Sequence, residues 1–211
     1  VAMAGISTVG TRPEYRRQGL VRKIMTRAFA EQRERGQSIA GLWASQAAIY
    51  QRYGFAPAGA LREYRVDTTD IRLLMDSDDL PVQRFEGVEA FEAVRALYKD
   101  FIAQRTGYLH RSKSLWLNNV FAPPVEDGPV YVALVGSVSA PTGYVVYTLR
   151  AQRVQHRARA QEIRIRDLAW LDRSAYAALW QYLARHDLVG RVVWSTAPMD
   201  DPAPDLSLIH I

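Results

Sequence analysis

Apolar and polar positions along this chain fall into short runs of two periods. Residues 2–10 (AMAGISTVG) are small and β-branched and read as a buried strand. A polar turn, TRPEYRRQG, follows it. From Leu20 to Arg35 the apolar positions Leu20, Val21, Ile24, Met25, Ala28 and Phe29 recur at three- and four-residue spacing. That spacing predicts an amphipathic helix stopped by Gly36. Residues 39–44 read as a second strand. Residues 46–53 read as a short helix with Ser45 as N-cap and Gly54 as stop, and residues 60–66 as a third strand. This order predicts an α/β layout whose first two strands are parallel. A parallel sheet needs both faces covered and more than two partners, so the first unit reads as the back half of a domain.

Residues 67–80 (DTTDIRLLMDSDDL) are polar and acidic and read as a linker. Beyond them, a short strand is expected at 82–85. A helix follows at 88–102, with Phe91, Val94, Leu97, Tyr98 and Phe101 on one face. Further elements are a helix at 112–121, strands at 130–135, 143–149 and 161–171, a helix at 174–185 with Ser174 as N-cap, and a strand at 191–195. The second unit thus also ends strand–helix–strand. The reading is one α/β design used twice, as tandem mixed sheets flanked by helices, the first incomplete. Its parts are residues 1–67, 68–205 and a tail, 206–211.

Hydrophobic residues make up 48% of the 211 and charged residues 23%. That balance excludes a disordered, collagen-like or coiled-coil chain. No apolar run approaches the ~20 residues of a membrane helix, and no secretory leader is legible. Cysteine is absent, so disulfides, zinc-thiolate sites and a catalytic thiol are excluded, and a cytoplasmic protein is expected. The net charge of +5 is uneven. Residues 1–67 hold 11 Lys/Arg against 5 Asp/Glu, and the remainder 16 against 17. A local excess of this kind suits a small anionic ligand better than a nucleic-acid coating.

The chemistry concentrates in STVGTRPEYRRQGLVR, residues 7–22. A strand runs into a turn bearing Arg16, Arg17, Gln18 and Gly19, and Gly19 stands where the helix begins. A helix N-terminus offers unpaired N–H groups and the positive end of its dipole. Glycine lets a phosphate approach the backbone, and arginines add charge-assisted bonds, so the segment can cradle a pyrophosphate. On spacing alone a solvated basic turn before a surface helix stays equally open. The segment is neither a Walker A loop, lacking Gly-Lys-Ser/Thr, nor a dinucleotide fingerprint, lacking the second and third glycines.

Val9-x-x-x-Pro13-x-x-Arg16-x-x-Gly19-x-Val21 resembles the coenzyme A pyrophosphate loop of GNAT acyltransferases, with Val21 in place of the usual small last residue. Arg-Arg-Gln-Gly-Leu-Val-Arg, followed by Ala44-Ser45 and by Ile49-Tyr50-Gln51-Arg52-Tyr53-Gly54-Phe55, resembles the Eis-type (enhanced intracellular survival) branch. Pro198-Met199-Asp200-Asp201-Pro202 is similar to that branch's second domain. The resemblance implies that acetyl-CoA lies beside a splayed strand at residues 7–11. Backbone groups around Val9, Gly10 and Thr11 would hold the pantetheine and polarise the thioester carbonyl. Arg16, Arg17, Gln18, Gly19, Leu20, Val21 and Arg22 would hold the pyrophosphate, and Ser45 and Gln46 would add a further contact. Tyr50 matches the family's general acid. A phenol can protonate the thiolate that leaves when a neutral amine attacks the thioester. Without that context, Tyr50 would read as an amphipathic core tyrosine. Tyr53 and Phe55 read as packing.

Other polar features carry less. His110, His156, His186 and His210 have no metal-like spacing, and no metal site is expected. The acids 76–79 lack the ligand spacing of a calcium loop. Residues 150–166 are basic without interleaved aromatics, which argues against nucleic-acid stacking. In the second unit, Asp172-Arg173-Ser174 takes the place of the glycine and basic cluster, so this copy is expected not to bind coenzyme A.

The implied activity is acetyl-CoA-dependent transfer of acetyl to a primary amine, on an aminoglycoside-like small molecule or a protein lysine. No membrane or nucleic-acid partner is expected, and the resemblance implies a homo-hexamer. It also implies strands ahead of the loop and a third domain whose carboxyl end is the general base. Residues 206–211, LSLIHI, look like translated sequencing adapter, so the chain reads as a fragment inactive alone. The alternatives are a non-catalytic coenzyme A binder, an inactive relic, or a basic nucleic-acid module with steep salt dependence.

Overall fold

The computed structural model describes residues 1–73, 80–151 and 161–206. The acidic run 76–79, His156, His210, the tail from 207 and much of the basic stretch 150–166 lie outside the described residues. The chain divides into two compact units, Val1–Ala58 and Gly59–Ile211.

In the first unit, β1 (Met3–Ile6) pairs in parallel with β2 (Ile39–Leu42), from Met3 opposite Ile39 to Ile6 opposite Leu42. The connection between them is α1 (Leu20–Glu34), long enough to return the chain to the start of the sheet. The expected strand at 2–10 is cut short, because the chain leaves the ladder after Ile6 and Thr8 adopts φ 54°. A β-branched residue is strained there, by about 1–3 kcal/mol, and such strain gathers at ligand clamps. Only Ala4 and Met25 are fully buried in this unit. The rest of its apolar contact comes from rings. Phe29 on α1 lies 6.5 Å from Tyr53 and 6.1 Å from Phe55, and Tyr50 meets Phe55 edge-on at 6.1 Å. These contacts seat α2 (Ala47–Gln51) against α1.

The second unit holds a six-stranded sheet in the order β3-β8-β7-β6-β5-β4. Its strands are β3 (Leu61–Asp67), β4 (Val82–Glu86), β5 (Val130–Ser137), β6 (Ala140–Ala151), β7 (Gln161–Trp170) and β8 (Val189–Pro198). All neighbours are antiparallel except β7 and β8. The sequence reading groups residues 61–67 with the first unit. In the fold they form β3 and pair with β8, from Leu61 opposite Pro198 to Asp67 opposite Arg191. A strand takes the edge that offers it a ladder, and that edge is supplied from over 120 residues away.

Helix α3 (Phe91–Ala103) buries Phe91, Val94, Leu97, Tyr98 and Phe101, the face its spacing predicts. Helix α4 (Lys113–Leu115) runs into a π-helical turn, Trp116–Val120, and is capped by Ser112, whose hydroxyl accepts from the Leu115 amide at 3.2 Å. Helix α5 (Arg173–Ala184) is the crossover from β7 to β8. Its N-cap is Asp172, not Ser174: the carboxylate accepts from the Ala175 amide at 2.7 Å. A carboxylate outcompetes a hydroxyl for the positive end of a helix. Gly143 on β6 lets α5 come close, since a Cβ there would sit 3.1 Å from Ala175 Cβ and 3.2 Å from Leu179 Cδ1. Tyr144, facing the other way, reaches Asp167 and the α3 side. The two long helices therefore cover opposite faces of the sheet.

Strands β7 and β8 pair only from Gln161 to Arg164 opposite Val189 to Val193 and then part. Beyond the split, Tyr176 of α5 packs on Trp170 at the end of β7, ring centroids 4.7 Å apart. Its hydroxyl donates at 2.8 Å to Asp201, just past the end of β8. A short helix, α6 (Ala203–Leu206), follows, and its first amide also donates to Asp201, at 3.1 Å. Asp201 is 3% exposed, and its second oxygen has no hydrogen bond among the described residues.

Burial raises the Asp201 pKa above the ordinary carboxylate value. It outweighs the hydrogen bonds from Tyr176 and the Ala203 amide and the charge of Arg62. With a folded pKa above the unfolded one, the folded state holds the proton longer. Stability from this group is full below the unfolded value, about 4, and is lost as pH rises through the folded value. Asp201→Asn keeps an acceptor for Tyr176 and Ala203 but carries no charge. The variant is therefore expected to gain on the wild type as pH rises from 4 toward 8 in urea unfolding. A gap that stays constant with pH would remove the buried charge from the account.

Candidate active site

The site is built where the two parallel strands of the first unit end. In open parallel sheets the loops leaving the carboxyl ends of the strands hold ligands. After β1 the chain passes Val9 and Thr11, both half-buried, and the exposed Gly10, then forms a 3-10 turn, Pro13–Tyr15. Pro13 opens that turn, where its fixed φ fits and its missing N–H costs nothing. Arg16 is extended, Arg17 is left-handed at φ 62°, and Gly19 is left-handed at φ 73°. Two left-handed residues within three positions bend the backbone sharply into α1.

Gly19 is the N-cap of α1, and no side chain caps that helix. The first bond of the helix runs from the Lys23 amide to the Gly19 carbonyl, at 3.1 Å. The amides of Leu20, Val21 and Arg22 therefore have no acceptor within the helix. Arg16, Arg17, Gln18, Gly19 and Arg22 are exposed, and Leu20 and Val21 are half-buried. Gln18 donates from its side chain to the Glu14 carbonyl at 3.5 Å, which closes the turn across its base.

After β2, Ser45 and Gln46 are exposed and lead into α2. Gln46, not Ser45, stands at the cap, with no side-chain cap bond, so Ser45 does not serve as the N-cap. Tyr50 lies on α2, half-buried against Phe55. Its carbonyl accepts the Tyr53 and Phe55 amides at 2.9 and 3.3 Å, which closes the helix. Its hydroxyl makes no hydrogen bond among the described residues. The loop, Ser45, Gln46 and Tyr50 thus all lie beyond the carboxyl ends of one strand pair.

The second unit repeats the strand–turn–helix plan with a different turn. Asp172 occupies the helix N-terminus that Gly19 leaves open in the first unit, and its charge would repel an anion there. This unit also holds sheltered polar contacts between residues far apart in the chain, which no short-range sequence signal announces. Arg111 pairs with Asp167 through two bonds, 2.7 and 3.1 Å, and Tyr144 donates to the same carboxylate at 2.6 Å. Tyr147 bonds Tyr182 at 2.8 Å and approaches His186 Nε2 at 3.4 Å. Among the described residues no group of three or more His, Asp or Glu is arranged to hold a metal ion. No helix among them is long and apolar enough to cross a membrane.

Residues 1–58 and residues 107–207 each match a model described as an acetyltransferase (GNAT) domain. The chain is 29% identical over 211 residues to N-acetyltransferase Eis of Mycobacterium tuberculosis, covering 96% of this chain and 50% of that protein. It is 28% identical over 207 residues to an uncharacterized N-acetyltransferase of Streptomyces coelicolor, covering 95% of this chain and 50% of the relative. The chain thus spans about half the length of the curated relatives it matches. Among solved structures, Eis1 from Mycobacterium abscessus superposes with a TM-score of 0.82 at 26% identity, over 98% of this chain and 51% of that one. A GCN5-related N-acetyltransferase from Anabaena variabilis shares the fold, with a TM-score of 0.81 at 24% identity over 99% of this chain and 53% of that one. With both of its units matched to the same kind of domain, the chain belongs to the GNAT acetyltransferases and is similar to their Eis-type members.

Proposed function

We propose that this chain serves an N-acetyltransferase that moves acetyl from acetyl-CoA to a primary amine. The observation that carries the reading is the head of α1: three unpaired amides behind a left-handed glycine, flanked by exposed arginines. That arrangement fits a diphosphate, because unpaired amide dipoles and exposed arginines in the same turn both favour negative charge. Arg16, Arg17, Gln18, Gly19, Leu20, Val21 and Arg22 hold the diphosphate. The backbone at Val9, Gly10 and Thr11, freed from the ladder, holds the pantetheine and the thioester carbonyl, and Ser45 and Gln46 flank it.

The amine attacks as a neutral base. Its nitrogen forms a bond to the thioester carbon, and the carbon–sulfur bond then breaks. The thiolate takes a proton from the Tyr50 hydroxyl, and the nitrogen loses its extra proton to a base or to solvent. The second unit takes no part in donor binding on this reading, which the Asp172 cap supports. The acceptor is an aminoglycoside-like amine or a protein lysine, the protein is cytoplasmic, and the assembly is a homo-hexamer, as in the branch it resembles. The direct test is thiol release from acetyl-CoA on adding primary amines. Donor binding without release would leave a non-catalytic binder.

Gly19→Ala separates backbone from ligand effects. A Cβ at Gly19 meets nothing within 4 Å, so the cost to folding is the left-handed backbone alone, about 1 kcal/mol. The methyl would stand where phosphate oxygens approach. Coenzyme A affinity is expected to fall about tenfold by titration calorimetry, roughly 1.4 kcal/mol. Unchanged affinity would move the diphosphate elsewhere.

A further inference from the structure

Among the described residues, four fully buried side-chain polar atoms have no hydrogen bond: Tyr64 Oη, Thr148 Oγ1, Trp180 Nε1 and Asp201 Oδ2. Buried polar groups are nearly always paired, so such atoms call for a partner. Thr148 belongs to β6. The other three group around Asp201, beyond the place where β7 and β8 part.

Tyr176 connects them. Its hydroxyl donates to Asp201 Oδ1 at 2.8 Å, and the Ala203 amide donates to the same oxygen at 3.1 Å. Oδ1 is therefore satisfied and Oδ2 is left over. Trp180 lies one turn further along α5, its ring centroid 6.3 Å from that of Tyr176, with the indole beside the Tyr176 hydroxyl. From another side comes β3, where Tyr64 packs edge-on against Trp194 of β8 at 6.1 Å and lies beside Asp201. Tyr64 Oη and Asp201 Oδ2 are thus neighbours with no direct bond. Tyr64, Trp180 and Asp201 are 2%, 1% and 3% exposed, so bulk solvent does not satisfy them.

The chemistry of the three atoms selects the occupant. An indole N–H only donates, a carboxylate oxygen only accepts, and a phenol does either. Burial, with a smaller contribution from Asp201, raises the Tyr64 pKa to about 12, so the phenol keeps its proton. A cation would face the indole N–H, and an anion would face the carboxylate. An apolar group would leave all three atoms unpaired. Water accepts from the indole, donates to the carboxylate and makes a third bond with the phenol, about the usual number for a buried water.

We propose that one structural water is bound here, accepting from Trp180 Nε1, donating to Asp201 Oδ2 and sharing a hydrogen bond with Tyr64 Oη. It ties together β3, α5 and the chain that follows β8. The parted ends of β7 and β8 then hold a water, at the place where open parallel sheets take ligands.

The sign of the stability change in Tyr64→Phe tests it. The variant keeps the ring on Trp194 and removes only the hydroxyl. If that hydroxyl bonds the water, its loss is expected to raise the unfolding equilibrium constant of the full chain about fivefold in urea. A hydroxyl buried with no partner costs stability, so an unchanged or lowered constant would overturn the proposal. A direct bond between Tyr64 and Asp201 would give the same loss as the water, and a high-resolution crystal structure of the full chain separates the two. Expected is one water-sized peak within about 3.2 Å of Asp201 Oδ2, Tyr64 Oη and Trp180 Nε1. Oδ2 bonded directly to Tyr64 or to Arg62 with no peak, or a peak too large for one water, would overturn it.

Discussion

Tyr50→Phe is expected to lower kcat for amine acetylation by about 10²-fold or more and to leave acetyl-CoA affinity unchanged. The variant keeps the ring that meets Phe55 at 6.1 Å, so α2 should stay seated against α1. Only the proton is lost. The thiolate of coenzyme A then departs without a donor, and the step limited by its departure slows. Because the hydroxyl makes no hydrogen bond among the described residues, its removal leaves no protein group unsatisfied. A fall in kcat with constant donor affinity therefore reads as chemistry and not as folding. The measurement is thiol release at saturating amine, beside calorimetry of the donor. Turnover equal to the wild type would take Tyr50 out of the mechanism, while a joint loss of affinity and turnover would make it a packing residue.

Removing the Asp167 carboxylate is expected to destabilise the second unit by about 3–5 kcal/mol, as breaking a buried ion pair does. The pair is sheltered, with side chains of Arg111 and Asp167 exposed by 24% and 13%. The guanidinium lies 4.2 Å above the Tyr98 ring and 4.6 Å above Trp116. In Asp167→Ala it stays charged, because arginine does not give up its proton in a protein, and it loses both of its carboxylate bonds. Tyr144 loses its acceptor in the same step. Burial first, and the charge of Asp167 after it, hold that phenol well above its ordinary pKa, so it remains a donor with nothing to donate to. Replacing both charges together, Arg111→Met with Asp167→Leu, is expected to recover most of the loss, since neither leaves an unpaired ion. Urea unfolding of the wild type and these two variants checks this. A loss under 1 kcal/mol for Asp167→Ala would show that the rings, not the carboxylate, hold Arg111.

The two expectations concern parts of the molecule that differ in how far sequence reveals them. The loop ahead of α1 is continuous in the chain. Its proline, arginines and glycine lie within a few bonds of one another, so their spacing alone suggests an anion site, and Gly19 is left-handed in the fold. The Arg111–Asp167 pair joins residues 56 apart, and nothing local to either marks it.

By itself the sequence determined the elements, the parallel first pair and the polar head of the first helix. Helix and strand periods are set by neighbouring residues: the buried face of α3 is the one its three- and four-residue spacing predicts, and a 15-residue α1 returns the chain for a parallel strand. Only the tertiary structure decided where edges and caps go. The strand at 61–67 took its partner from β8, because a ladder forms wherever an open edge is brought alongside. Asp172 displaced Ser174 at the head of α5, and Ser45 was left without a capping role, because a cap depends on backbone geometry that the whole unit imposes. Asp201 became a buried acid beside Tyr176 of α5 and beside Arg62 and Tyr64 of β3, a neighbourhood that folding assembles and no local pattern encodes.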